Sequence, residues 1–340
     1  MAKKFVCVRI QSMNGVNLDQ FQFEFDLTWM SFFQNAEGRT YTRYGGREDN
    51  GAESHLTKSS LLRVMRQVLA LHEKNDVQPA NRYEPVVKTL RTPEDIPTMK
   101  QMMAKRKESC IHCHDVKVAQ LRHRRDLRQL QKDMVFTYPS PRNLGIHLDR
   151  NSQNVISRVE PKSAAASAGL RPGDVVQSAD GQRILTFADF TRVLELAPKS
   201  GKLPLVAKRG ERVGRLTLEL RKGWHRSGDP SWRESTHVVG PGGGLWGVKA
   251  NAQQRRQLGV KDGDLALRVT YIWGRHTRAA GIRNGDYVIS IDGKKTDMNA
   301  RQLNSHLHMN RDWGDTVAVI VKRGGKEVKL TLRLPARPPN

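Results

Sequence analysis

Cys110-Ile-His-Cys113-His114 is the stretch of this sequence best equipped for chemistry. Two thiols one helical turn apart, followed directly by an imidazole, can add to the two vinyl groups of a haem and place the histidine on its iron. Cys110 and Cys113 are therefore candidate attachment points of a haem c, and His114 is the candidate axial ligand. Within the surrounding segment only Met134 follows the string as a sixth ligand. Three other readings stay open. Cys110, His112, Cys113 and His114, or His123, could hold zinc, though the halves lie closer than in the usual paired layout. Cys110 and Cys113 could form a redox dithiol, with Lys105, Arg106, Lys107 and Lys117 lowering a thiol pKa. Or the thiols are inert. Cys7 is the third and last cysteine, so no disulfide framework is implied.

The elements that would carry this string divide the 340 residues into several pieces. Phe5-Val-Cys-Val-Arg-Ile10 reads as a short buried strand. A hairpin follows, with Thr28 to Phe33 and Arg39 to Tyr44 joined by the turn Asn35-Ala-Glu-Gly38. From Thr57, Leu61, Val64, Met65, Val68 and Leu71 recur at helical spacing. Proline interrupts the next segment at 79, 85, 93 and 97, where Asp95-Ile-Pro-Thr98 offers a helix start and Met102 to Ser109 reads as helical. Between Lys100 and Lys132 ten Lys and Arg face three Asp and Glu, so positive charge gathers around the cysteines.

The rest of the chain contains an internal repeat. Ala168-Gly-Leu-Arg-Pro-Gly-Asp-Val-Val-Gln-Ser-Ala-Asp-Gly181 and Ala280-Gly-Ile-Arg-Asn-Gly-Asp-Tyr-Val-Ile-Ser-Ile-Asp-Gly293 agree at nine of fourteen positions. Lys208-Arg-Gly and Leu216-Thr-Leu-Glu-Leu220 answer Lys322-Arg-Gly and Leu330-Thr-Leu-Arg-Leu334. The glycines permit a tight reversal in which Asp174 or Asp286 accepts backbone N–H bonds, and Asp180-Gly181 or Asp292-Gly293 makes the next turn. Trp224 to Gly244, rich in Gly, Pro, Ser and charge, reads as a linker.

Both copies resemble PDZ domains of the kind attached to bacterial HtrA-type proteases. The resemblance implies a groove between a strand edge and a helix, where a peptide adds as a strand and its carboxylate is held by amides of a glycine loop. Leu144, Gly145 and Ile146 match that loop in the first copy, and Trp246, Gly247 and Val248 in the second, where Trp246 would narrow the pocket. Ala188 or Phe190, and Arg301 or Leu303, would lie on the groove helices. The phrase Thr28-Trp-Met-Ser-Phe-Phe-Gln-Asn-Ala-Glu-Gly38 resembles the C-terminal half of thioredoxins, with Leu27 in place of their cis-proline and no Cys-x-x-Cys upstream. Taken together, these features resemble bacterial thioredoxin-like/PDZ-domain (seleno)proteins.

The net charge of +24 suggests polyanions, but Arg122, Arg124, Arg125 and Arg128 lack interleaved aromatics, so a solvated helix face is the better reading and nucleic acid is set aside. No Gly-x-Ser-x-Gly, His-Glu-x-x-His or Walker loop occurs; Gly240-Pro-Gly-Gly-Gly244 lacks the following Lys-Ser/Thr. No apolar run is long enough for a transmembrane segment, and no signal peptide is recognisable. The expected architecture is an α+β multidomain protein: a truncated thioredoxin-like module (1–78), a basic helical connector (79–141), a PDZ domain (142–222), a linker (223–242) and a second PDZ domain (243–335). The expected role is a tandem-PDZ adaptor or scaffold that takes C-terminal or strand-like peptides of partner proteins. The alternative is an extracytoplasmic thiol-redox or electron-transfer protein using Cys110 and Cys113 with an acidic redox partner. Both imply a periplasmic location and a natural start upstream of Met1.

Overall fold

A tight turn organises the N-terminal residues. Asn35 Oδ1 accepts the amides of Glu37 and Arg39, and Gly38 sits at φ +76, so strand β1 (Met30–Gln34) reverses into β2 (Thr40–Gly45). Helix α1 (Lys58–Glu73) starts at a capping box of Thr57 and Ser60 and buries Val64 and Val68 against Tyr41 and Tyr44 of β2. The computed structural model describes residues 1–27, 29–49, 51–77, 90–104, 106, 110–226 and 228–337.

The strand expected over Phe5–Ile10 does not form. Only Phe5 finds a partner, its ring 5.8 Å from Phe33, while Val6 and Val8 are 94% and 81% exposed. A β-competent run needs a ladder to join, and the β1–β2 sheet has two strands. What stands of the expected thioredoxin-like module is the order β1, β2, α1.

Pro97 occupies the first turn of α2 (Pro97–Met103), as the Asp95-Ile-Pro signal requires. Helix α2 ends at Met103; of the longer helix expected to Ser109, Lys105 and residues 107–109 lie outside the described residues, as do Pro79 and Pro85. Helix α3 (Cys113–Asp126) packs on α2, with Thr98 Oγ1 donating to the Ala119 carbonyl at 2.6 Å and Val116, Ala119 and Leu121 buried.

The chain forms two compact units, Met1–His123 with Phe136–Gly228, and Arg124–Val135 with Asp229–Asn340. In the first, β3 (Ile146–Leu148) pairs with β4 (Ile156–Val159); α4 (Ala164–Ser167) leads to β5 (Val175–Ala179), which lies between β6 (Gln182–Arg183) and β7 (Gly201–Arg209), with β8 (Arg212–Leu220) beyond. Helix α5 (Phe187–Leu196) sends Phe190, Val193 and Leu194 into a core with Ile146, Ile156 and Leu205. The second unit repeats this plan as one antiparallel sheet. β9 (Leu245–Lys249) is its edge, followed across the sheet by β10 (Leu267–Ile272), β11 (Tyr287–Ile291), β12 (Thr316–Arg323) and β13 (Lys326–Arg333). Helix α6 (Ala252–Leu258) is inserted between β9 and β10, α7 (Arg275–Ala279) precedes β11, and α8 (Ala300–Asn310) lays Leu303 and Leu307 on the core.

The repeated phrases meet in space. Arg209 of the Lys-Arg-Gly turn grips Asp174 with Nε and Nη2, both at 2.7 Å, and Nη2 also reaches the Gly169 carbonyl. Arg323 holds Asp286 at 2.8 Å twice and the Gly281 carbonyl at 2.7 Å. Each carboxylate also takes a backbone amide, from Arg171 or Arg283 at 2.9 Å. The Arg209 guanidinium, opposed by burial, holds the Asp174 carboxyl below its usual range. Bidentate pairing of this kind is the strong form of charged hydrogen bond, and the same clasp closes both repeats.

The segment expected as a linker over 223–242 is folded. Trp224 belongs to the first core and donates Nε1 to the Pro198 carbonyl at 3.0 Å. Two 3-10 turns, Pro230–Trp232 and Glu234–Val238, pack on α8; Ser235, Val238 and Val239 are buried, and Gln302 Nε2 donates to Asp229 at 2.7 Å. The glycine and proline content that suggested a linker instead permits short turns, which Val238 and Val239 anchor.

Candidate functional site

In the first repeat a 3-10 turn, Pro141–Leu144, capped by Ser140, ends on Gly145 at φ +84. A Cβ on Gly145 would fall 2.2 Å from Ser163, so the turn requires glycine. The Gly145 carbonyl accepts the Glu160 amide, and its own amide is spent on Arg142 at 2.9 Å. Leu144 and Ile146 turn their side chains into the core. β3 pairs with β4, and among the described residues no strand pairs with its other edge. A cleft of about 900 Å³ runs along Ile146, His147 and Leu148, with Ser157 and Arg158 of β4, Arg142 at one end and Phe187 at the start of α5.

Phe187, and not Ala188 or Phe190, is the groove-helix residue that lines this cleft; Phe190 is a core side chain and Ala188 is buried. Helix α5 is also covered on a second side by β2. Asp189 accepts Thr42 Oγ1 at 2.5 Å and the amides of Arg43, Leu185 and Thr186, while Thr186 Oγ1 donates to the Arg43 carbonyl at 2.6 Å.

The chain just beyond β2 supplies the far wall. Glu48, Glu53 and His55 line the cleft opposite β3. The His55 ring stacks on Phe187 at 3.7 Å, and its carbonyl accepts Gln153 Nε2. Glu48 accepts hydrogen bonds from His55 Nε2 at 3.0 Å and from the Ser140 hydroxyl. Burial would push the Glu48 carboxyl up, but the bonds from His55 and Ser140 outweigh it and hold it below its ordinary value. Asp49 takes Arg142 Nη1 at 2.9 Å. Two carboxylates of the N-terminal module thus sit on the glycine loop of the first repeat. Sequence reasoning missed this wall; Gly45-Gly46 and the following Arg-Glu-Asp were its only signal.

In the second repeat the glycine turn lies three residues earlier than the sequence match placed it, at Gly244 instead of Gly247. Gly244, at φ +63, accepts the amides of Trp273 and Gly274, and Leu245 is the buried residue that follows. Trp246, Gly247 and Val248 lie inside β9, opposite Tyr271, Val269 and Arg268. The Trp246 side chain is 41% exposed. The run Pro241-Gly-Gly-Gly244 sets the turn ahead of Leu245-Trp-Gly-Val248. Leu303 is core, whereas Arg301 is exposed with its guanidinium 6.0 Å from the Trp246 ring. Asn304 pins the turn to α8, accepting the Gly243 amide at 2.8 Å and donating to the Leu245 carbonyl at 3.0 Å.

The cysteine string spans a loop and the first turn of α3. Cys110 is exposed and Cys113 half-buried, both free. Ile111 is buried, its amide donating to Ser12 Oγ and Asn14 Oδ1 and its carbonyl accepting the Met13 amide. Arg106 is engaged with Asp115 through both terminal nitrogens, at 2.7 and 2.5 Å, and Lys117 is buried with Nζ on Thr137. These cations therefore do not serve the thiols; burial, reinforced by Asp115, pushes the Cys113 thiol up, the reverse of the lowering expected for a redox dithiol. Lys105 and Lys107 lie outside the described residues. The His112 and His114 rings stack at 5.6 Å, and no group of three His, Cys, Asp or Glu converges as a metal site among the described residues.

Residues 155–209 and 275–334 each match the PDZ domain family, so the two repeats are PDZ domains. Over 194 residues the chain is 25% identical to a protein named "Probable periplasmic serine endoprotease DegP-like" from Pseudomonas savastanoi, covering 55% of this chain and 38% of that one. Over 120 residues it is 30% identical to the periplasmic serine endoprotease DegP of Salmonella typhimurium, covering 33% of this chain and 25% of that protein. The chain thus spans well under half the length of these relatives. Among solved structures, the HtrA-type protease AlgW with decapeptide matches at 15% identity and a TM-score of 0.27, over 49% of this chain and 50% of that one.

Proposed function

We propose that this protein is a tandem-PDZ adaptor in which the first domain takes a C-terminal or strand-like peptide of a partner protein along the open edge of β3. The observation that carries this is the cleft of about 900 Å³ bordered by that edge, the glycine turn and Phe187. Such a site offers main-chain hydrogen bonds for affinity and side pockets for alternate side chains. No helix among the described residues is long and apolar enough to cross a membrane. Titration calorimetry of the full chain against a C-terminal peptide library is expected to give saturable binding. Amidating the peptide carboxylate should weaken it by no more than about fivefold, and Ser157→Trp, which fills the cleft, should abolish it for ligands of the first domain. Absence of saturable binding by every free-carboxylate peptide overturns the proposal.

A second proposal concerns Cys110 and Cys113, with a covalent c-type haem and His114 as its iron ligand. It is supported by the exposure of Cys110 and the partly exposed His114 side chain. Bound there, the group would supply one-electron chemistry, and an acidic redox partner would meet the surrounding positive charge. Co-expression with haem-attachment machinery should give a haem band that survives denaturing electrophoresis and is lost in Cys110→Ala; a colourless product sinks it.

A further inference from the structure

We propose that the outward face of β9 and β10 in the second PDZ domain is a reading surface for an acidic extended peptide carrying aromatic or large apolar side chains at alternate positions. The inference rests on the peptide-binding reading above but concerns the other domain and different residues. Trp246 of β9 stands opposite Tyr271 of β10, and the Tyr271 ring stacks on Trp273 at 6.2 Å with 26° between the planes. These three rings are 41–60% exposed, and Val248 beside them is 52% exposed. Exposed large side chains are common singly; three on one strand pair, with Trp273 just past the end of β10, are not.

The chemistry of the occupant follows from three features. β9 is the edge of its sheet, so its outer side can accept another strand beside α8. In an added strand every second side chain points to the same face as Trp246 and Val248, within reach of the rings. The exposed charges beside the rings are guanidinium groups, and the nearby carboxylate of Asp297 is already engaged by Lys249 and Arg255. Neither β9 nor β10 contains a carboxylate. Arg268 lies opposite Val248, Arg301 sits against the Trp246 ring, and Arg275 follows Trp273 by two residues, all exposed. A peptide with acidic residues between its large ones satisfies rings and guanidinium groups together, whereas a basic one is repelled.

The test uses the full chain and two synthetic probes, acetyl-Asp-Tyr-Asp-Phe-Asp-Val with a free carboxylate and its twin with lysine for each aspartate. Binding is followed by tryptophan fluorescence and calorimetry. The acidic probe is expected to bind at least tenfold tighter than the basic one, and Trp246→Ala and Tyr271→Ala, both at exposed positions, should each weaken it by tenfold or more with unchanged circular dichroism. If Ser157→Trp abolishes binding of the acidic probe while Trp246→Ala does not affect it, the first domain is the sole reader: the inference fails and the adaptor reading stands. If neither variant matters, or the basic probe binds as well, the inference is overturned. Sedimentation with phosphatidylglycerol vesicles that Trp246→Ala reduces, without preference between the peptides, would assign the surface to membranes and overturn it also.

Discussion

Asp189→Ala is expected to destabilise the first unit by about 3–5 kcal/mol, among the largest effects of any single change. Asp189 is buried and its two oxygens accept four donors: the Thr42 hydroxyl and the amides of Arg43, Leu185 and Thr186. Alanine takes the acceptor from three buried amides, while the Thr42 hydroxyl keeps the Arg43 carbonyl, and an orphaned buried donor costs roughly 1–3 kcal/mol. Because two of the donors belong to β2, the damage should appear as loosening of the N-terminal module. Denaturant unfolding should report the loss, and limited proteolysis should cut faster within the N-terminal module. Asp189→Asn, which keeps one oxygen, should recover part of the stability. An alanine variant that unfolds within about 1 kcal/mol of the parent would show that the module is not held there.

The second large effect is a dependence of the second unit on pH. His308 of α8 places Nδ1 2.7 Å from the Gly240 carbonyl, and since a carbonyl only accepts, Nδ1 carries the proton. Burial, with His237 nearby, pushes the imidazolium pKa down to about 4. The unfolded chain takes up a proton near the ordinary pH of 6.5 that the folded one refuses. Stability is therefore complete above that pH and falls as pH drops towards 4, by about 3 kcal/mol in all. His276, whose pKa burial also lowers, adds to the same trend. The melting temperature of the full chain should fall over this window in the transition of the second unit, and His308→Gln should flatten the slope. A slope unchanged in that variant would sink the assignment.

Local signals in the sequence were reliable where the chain satisfies itself nearby. Thr57 caps α1, Asn35 and Gly38 make the hairpin, and Asp180-Gly181 turns at two successive positive φ values. The PDZ repeats were legible because nine shared residues, together with the two Lys-Arg-Gly turns, encode a closure that one copy alone would not reveal. What failed depended on partners distant in sequence. The Phe5 run has strand composition but no ladder to join. Phe190 turns into the core beside Ile146 and Leu205 and not into the groove, while β2 covers α5 at Thr186 and Asp189. The match at Trp246 followed residue types, whereas the turn is fixed by φ at Gly244. Arg106 and Lys117 counted as cations near a thiol, yet Asp115 and Thr137 engage them first.

On the reading proposed above, Asp49 on Arg142 would make the first PDZ domain its own competitor for a peptide carboxylate. A carboxylate tethered beside that guanidinium acts at an effective concentration in the millimolar range, as short tethers do. A peptide terminus read at Arg142 would have to exchange places with it, and one half-exposed ion pair traded for another returns little net free energy. On the proposed reading, discrimination by this domain would lie with the side chains a ligand sends along β3 and against Phe187. A bare carboxylate would not open the site, and removing the Asp49 charge would raise affinity for many ligands at once while making the domain less choosy.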